Sequence, residues 1–307
     1  MRIATYNTEF LFGEGTHQHS GKDWTYTPEY IEKRIAYFAE KFKKINADIL
    51  LLQEVASEEV VKRIIERSGI IYNYFFATPA NNVGNVVLYK DSNAICDTIP
   101  AMTYLPVFVE GDADVLGSSM WSRRDFVYLR STHRDKPLHV LGIHIKSNFL
   151  VALKNVDGEG YPIETQQDAA DSIIRSELFR YSQAKKVREM IDGFFAEDPD
   201  AQVIVGGDFN AWESTTVYRI IKGVVKDRFD TLYTSAEHIS PQKRYINPIG
   251  TLVDHILLSD NLKTTISQVQ VFNEDIVEHK HTPDTIWYPG SDHPPVVVDL
   301  VMDRGSK

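Results

Sequence analysis

"VIVGGDFNAWES", Val203 to Ser214, decides how this chain is read. It opens as a buried β-strand should, with three β-branched residues in succession. It then breaks at Gly206-Gly207 and sets Asp208, Asn210 and Trp212 at alternate positions. Side chains two apart on extended backbone share a face. An acid, an amide and an indole are therefore aimed together from a strand end. A tight turn is the plain reading of such a stretch, and a chemical site is the alternative.

The surroundings decide between them, because the same pattern recurs. "TYN" ends the first strand-like run with Asn7, followed by Glu9, and "LLLQEV" ends the second with Glu54. "GIHIKSN" places His144, Lys146 and Asn148 at alternate positions after an apolar run. "GTLVDHILLS" sets Asp254 inside an apolar strand, on one face with Leu252, Ile256 and Leu258. "GSDHPPVVVDL" puts Asp292 and His293 just before the last strand. A buried carboxylate is costly unless it is paired, and His293 is the partner available to Asp254.

Further strand-like runs are "YNYFFAT", "NVVLYK", "DFVYLR", "QVQVF" and "PVVVDLV". Thr27-Pro28-Glu29 is a helix start, with a capping hydroxyl, proline in the first turn and an acid beside it. A long amphipathic helix is expected from about Asp168 to Ile191, with Ile173, Ile174, Val187 and Met190 on its apolar face. Strands outnumber helices and fall in two groups divided by that helix. The pattern predicts two sheets packed face to face with helices outside. "GEGTHQHSGKDW" is read as a loop at the rim of the cleft. Its His17 and His19 have no third ligand nearby, so a second metal site is not expected.

Composition sets bounds. The chain has 307 residues, 43% of them hydrophobic and 25% charged, with no linker, repeat or low-complexity run. No apolar run approaches the ~20 residues of a membrane helix, so no membrane partner is expected. The single cysteine, Cys96, permits no internal disulfide and fits a reducing compartment. A strand-like run starts at Arg2, so a cytoplasmic location is expected, with a trimmed leader as the alternative. The net charge of -10 argues against broad coating of nucleic acid but not against a phosphate substrate. Acidic clusters that hold a divalent cation themselves make a chain negative.

Read together, the strand-end residues describe phosphoester chemistry. Asn7, Glu54 and Asp292 offer the oxygen ligands a hard cation such as Mg²⁺ prefers, with Mn²⁺ or Ca²⁺ as substitutes. Asp208 and Asn210 would orient a water and a phosphate oxygen. Asp254 would orient His293, with His144 as a second imidazole near the phosphate and Lys146 as a substrate contact. Trp212 would either stack a nucleobase at the lip or fold back onto the helix that starts near Ser214.

In this order the words "TYN", "LLLQEV", "GIHIKS", "GGDFN", "VDHILLS" and "SDHPPV" resemble the endonuclease/exonuclease/phosphatase superfamily with the deoxyribonuclease-I-like fold. Each is weak alone; six in sequence, from Asn7 to His293, are strong. The resemblance implies a four-layer α/β sandwich, two packed mixed β-sheets flanked by helices, in one catalytic domain over residues 1–307. It implies Glu54 as the principal metal ligand with Asn7 and Asp292 close by. Asp208 and Asn210 would surround the nucleophile, and Asp254 and His293 would form a dyad. "SRRDFV" resembles a segment whose arginine touches phosphate, which singles out Arg124. "RYSQAKKV" resembles a supporting helix, which singles out Arg180 and Gln183. Abasic-site endonucleases of the superfamily carry tyrosine where His144 falls, so that subfamily is disfavoured. The expectation is a metal-dependent nuclease or phosphodiesterase acting on nucleic acid, with no obligate protein partner. The alternative is a phosphatase for a small phosphorylated molecule such as an inositol phosphate or a nucleotide.

Overall fold

A computed structural model describes residues 1–19, 22–77, 83–101, 125–150, 162–225, 228–239, 252–274, 276 and 288–301. Two six-stranded mixed sheets lie face to face, with helices on both outer surfaces. The first sheet contains β1 (Arg2–Leu11), β4 (Ile49–Val55), β5 (Asn73–Phe76), β6 (Gly84–Tyr89), β13 (Ile266–Val271) and β14 (Val296–Leu300), in the order β13-β14-β1-β4-β6-β5. The second contains β7 (Ile95–Ile99), β8 (Phe126–His133), β9 (Lys136–His144), β10 (Gln202–Asp208), β11 (Tyr233–Thr234) and β12 (Asp254–Leu258), in the order β11-β12-β10-β9-β8-β7. Helices α1 (Pro28–Ile45) and α2 (Glu58–Ser68) belong to the first half; α3 (Gln166–Glu197), α4 (Thr216–Lys222) and the short α5 (Asp260–Lys263) follow. Among the described residues no helix is long and apolar enough to cross a membrane.

The four layers follow from the period of two in the strands. In β4, Leu50 and Leu52 meet the cluster under α1 and α2, while Ile49 and Leu51 point between the sheets. In β10, Val203 and Val205 meet the cluster under α3 and α4, while Ile204 points between the sheets. Both faces are buried, so these strands read as near-continuous apolar runs. Helix α1 begins as its sequence requires: the Thr27 hydroxyl accepts from the Tyr30 N–H at 3.3 Å, and Pro28 follows it.

Two glycines in "VIVGGD" have distinct reasons. A Cβ on Gly206 would stand 2.8 Å from Leu51 Cδ1 of the facing sheet, so the sheets close only over hydrogen there. Gly207 has φ +152, and a Cβ there would stand 1.9 Å from the Ile143 carbonyl oxygen.

Several expectations need correction. The "GEGTHQHSGKDW" segment is a hairpin, β2 (Gly15–His19) with β3 (Lys22–Tyr26), rather than a loop. His17 stacks on Phe12 at 4.3 Å and its Nε2 lies 3.0 Å from the Gly13 carbonyl. The long helix does not divide the sheets: β7 to β9 precede it yet join the second sheet, while β13 and β14 follow it and join the first. Its length is Gln166–Glu197, and Ile173 and Ile174 are 53% and 51% exposed. That half of α3 packs its polar Ser176 and Gln183 on the loop after β9 rather than apolar residues on a sheet.

Candidate active site

The strand ends named by the sequence converge where the two sheets meet at one edge. Register puts His144, Asp208 and Asp254 in one row across three adjacent strands, β9, β10 and β12. Asn7 lies at the end of the aligned stretch of β1 and Glu54 near the end of β4, in the facing sheet. Side chains then bridge the sheets. Asn7 Nδ2 donates to Asp208 Oδ2 at 3.0 Å, and His144 Nε2 lies 3.4 Å from Asp208 Oδ2 and 3.7 Å from Glu54 Oε1. His293 Nδ1 lies 2.7 Å from Asp254 Oδ2. Atoms of Asp208, Asp254 and His293 fall within 4.8 Å of one another.

The loop carrying Asp292 and His293 is tied to β1. The buried Ser291 hydroxyl donates to the Asn7 carbonyl at 2.7 Å and accepts from the His293 N–H at 3.1 Å. The Asp292 N–H donates to Glu9 Oε2 at 3.0 Å. Glu9 is thus brought into the group, and sequence reasoning gave it no role. Its signal was alternate spacing from Asn7 in "TYNTEF". Burial, then the Asp292 carboxylate, push Glu9 up to about 8 against the opposing Arg34 charge. Asp208 is pushed up to about 6 by burial, with the His293 charge opposing.

His293 differs in sign. Burial works against its charge, but Asp254, through charge and hydrogen bond, with Asp208 and Asp292 adding, holds it well above the ordinary histidine range. These acids favour the imidazolium, whose Nδ1 lies within hydrogen-bond reach of Asp254.

Three site residues hold left-handed backbone without being glycine: Glu9 at φ 50, Glu54 at φ 60 and Asn210 at φ 45. Such conformations cost about 1–3 kcal/mol each and persist where surroundings enforce them. Glu54 Oε2 accepts from the Phe10 N–H at 3.2 Å. The Asn210 N–H donates to Asp208 Oδ1 at 2.7 Å, and its Nδ2 reaches the Ile145 carbonyl at 2.9 Å and Asp208 Oδ2 at 3.1 Å. Both amide hydrogens are engaged, so Asn210 acts by holding Asp208.

Helix α3 braces this edge. Arg180 Nη2 donates to the Asn210 carbonyl at 2.8 Å, and Gln183 Oε1 accepts from the Lys146 N–H at 2.8 Å. The Lys146 ammonium donates to the Ser147 and Phe149 carbonyls and to Ser176 Oγ. It fastens the loop after β9 to α3. Trp212 is 54% exposed, and its carbonyl accepts from the Thr215 N–H at the cap of α4. Arg124 lies outside the described residues.

Beneath the row, His255 is wedged between Phe209 and Tyr218, its Nε2 2.8 Å from the Ala211 carbonyl. Burial lowers it from 6.5 to about 4. The unfolded imidazole takes up a proton as pH falls below its ordinary value, while the folded one does not until about pH 4. The contribution of His255 to stability is then expected to be full above about pH 6.5 and to decline toward pH 4, by about 3 kcal/mol for the shift from 6.5 to about 4. His255→Gln is expected to flatten that part of the melting-temperature profile. An unchanged difference between pH 7 and pH 4.5 would refute the assignment.

A model of the endonuclease/exonuclease/phosphatase family matches residues 4–293. No curated protein matches the chain by sequence. Among solved structures, truncated Caenorhabditis elegans TDP2 is similar at 14% identity and a TM-score of 0.59, over 97% of this chain and 96% of that one. The human Nocturnin catalytic domain with bound sulfate anion is similar at 18% identity and 0.58, over 98% and 94%. The Bacteroides thetaiotaomicron mannosyl-6-phosphatase Bt3783 is similar at 15% and 0.57, over 98% and 100%. At these identities the likeness shows a shared fold.

Proposed function

This chain belongs to the endonuclease/exonuclease/phosphatase family, and on that premise we propose that it is a divalent-cation-dependent phosphodiesterase acting on nucleic acid. The observation that carries the reading is the Asp254–His293 hydrogen bond of 2.7 Å set beside crowded carboxylates. Glu9 is costly to ionise there, first because it is buried and then because the Asp292 and, less, the Glu54 carboxylates stand beside it. A hard cation among these oxygens would relieve that cost, so the donor set fits Mg²⁺, with Mn²⁺ or Ca²⁺ as substitutes. Glu54 and Asp292, with Glu9 and the Asn7 amide, would hold it. When bound, such an ion polarises a phosphoryl oxygen and neutralises charge that develops on it.

The protein's own groups supply the rest. Asp208, raised toward neutrality and gripped by Asn7 and Asn210, orients a water and accepts its proton. His144, with Nε2 3.4 Å from Asp208 and 3.7 Å from Glu54, sits between the two acids and keeps them apart at the edge that would face the phosphate. The His293 imidazolium keeps Nδ1–H on Asp254 and presents Nε2–H to the phosphate, where negative charge develops.

The exposed indole of Trp212, two residues beyond Asn210, supports a nucleic-acid substrate. A base stacked there gains ~1–3 kcal/mol. Trp212→Ala is expected to weaken turnover of nucleic acid by roughly tenfold or more and to spare a small chromogenic phosphodiester. Equal loss on both, or on neither, would reject stacking. The net charge of -10 favours a second reading, a phosphatase for a small phosphorylated molecule, since broad nucleic-acid binding draws on positive surface. The deciding assay runs plasmid DNA, single-stranded DNA, RNA and a phosphomonoester panel in parallel, with Mg²⁺ and with chelator. Turnover confined to monoesters would replace the phosphodiesterase reading, and turnover that survives chelation would remove the cation.

A further inference from the structure

Arg34 lies on α1, outside every motif read from the sequence, yet it is among the largest fully buried side chains, 2% exposed. A buried guanidinium needs partners for its donors. It finds three consecutive carbonyls. Nη2 donates to Thr8 O at 2.5 Å, and Nη1 donates to Glu9 O at 3.0 Å and Phe10 O at 3.1 Å. The rings of Phe38 and Tyr30 lie 5.3 and 5.9 Å from its Cζ.

Those carbonyls belong to a break in the sheet. The pairing of β1 with β4 is regular from Ile3 to Asn7, then shifts before Leu11. Glu9 and Phe10 both take left-handed backbone there, φ 50 and 53. The bulge turns the amides inward as it turns the carbonyls outward. The Glu9 N–H reaches Asn7 Oδ1 at 2.9 Å, the Phe10 N–H reaches Glu54 Oε2 at 3.2 Å, and the Glu9 carboxylate reaches the Asp292 N–H at 3.0 Å. One side of this three-residue segment orients Asn7, Glu9, Glu54 and Asp292, while the other is held by Arg34.

The geometry points to Arg34 as the positioning residue of the acidic group. It clamps the Thr8–Phe10 bulge from behind and thereby sets the spacing of the carboxylates that face the phosphate. Resting on the phosphoesterase reading, it adds to that reading a residue that touches neither substrate nor cation. Lysine cannot replace it. An ammonium is a compact point charge, whereas the planar fork spans successive carbonyls with fixed directions.

The test uses Arg34→Lys, which keeps charge and stem, Arg34→Met, which keeps only bulk, and Phe42→Leu, which loosens the same helix away from the bulge. Amide hydrogen exchange of the metal-free protein is read first. In both Arg34 variants, exchange at Glu9 and Phe10 should rise at least about tenfold above that in Phe42→Leu at matched melting temperature. Wild-type exchange there, or exchange that tracks global stability in all three, overturns the inference. The Mg²⁺ midpoint for thermal stabilisation and for activation is read second. Partners that orient ligands are worth about 10–100-fold in metal affinity, so both midpoints should rise by that factor in Arg34→Lys, with kcat recovering at saturating Mg²⁺. An unchanged midpoint overturns the inference as well. A wild-type protein without any Mg²⁺ response refutes the phosphoesterase reading instead, and the exchange measurement still decides whether Arg34 sets the bulge.

Discussion

His293→Ala is expected to lower phosphoester turnover by ~10²–10⁴, the range typical of a positioned acid or base, with KM changed far less. The expectation follows from the state of the imidazole. Its Nδ1 lies 2.7 Å from Asp254 Oδ2, and the surrounding acids keep it protonated well above the ordinary range. The Asp254 carboxylate is 1% exposed and sits in the strand row with Asp208, so its place is fixed by sheet register. Asp254→Asn keeps that place and an acceptor but removes the charge. The imidazole should then lose its proton at lower pH, and the alkaline limb of the rate profile should move downward by more than one pH unit. Most of the rate should go with it. On the dyad reading the two residues act as one unit, so the losses should be strongly non-additive in the Asp254→Asn/His293→Ala double variant. Penalties that multiply as independent effects, or an alkaline limb that stays in place, would rule out the dyad.

The dyad also marks how far sequence reading reaches. Asp254 interrupts an apolar run of sequence and opens β12, and a buried carboxylate asks for a partner, so the question it poses is visible in the letters "LVDHILL". The layers were visible for a similar reason: runs such as "ILLL" and "VIV" are apolar on both faces, which fits strands between helices and a second sheet. What the letters did not carry is backbone that departs from period two. The β1 bulge brings Glu9 to Asp292 through left-handed residues that are not glycine, and no local residue type announces them. Arg34 reads as one more charge on an amphipathic helix until the bulge carbonyls are in place. Lys146 shows the converse. Alternation aimed it with His144, but the chain bends after β9, and three oxygens of its own loop and α3 take the ammonium. The exposed Ile173 and Ile174 have the same origin, since apolar periodicity alone does not tell what lies under each turn of a helix.

Glu54→Gln is the other large effect expected, a fall of roughly 10³-fold in Mg²⁺-supported turnover, corresponding to the several kcal/mol a polarising ion supplies. Glutamine has nearly the same shape and keeps an oxygen for the Phe10 N–H, which Glu54 Oε2 now accepts at 3.2 Å. The left-handed backbone at φ 60 can therefore persist, and the fold with it. What disappears is one negative charge among Glu9, Asp292 and Asp208. In the metal-free protein that loss removes repulsion, since Glu54 is one of the charges that push Glu9 up. The metal-free variant should thus melt no lower than the wild type. Adding Mg²⁺ stabilises any protein that binds it folded, by RT ln(1 + [Mg²⁺]/Kd). The wild type should show that rise and Glu54→Gln should not, at the same concentrations. The two signs together separate loss of a ligand from loss of structure, because a merely destabilised variant would melt lower without metal and still respond to it. Wild-type turnover with an unchanged Mg²⁺ response in the folded variant would remove Glu54 from the cation site.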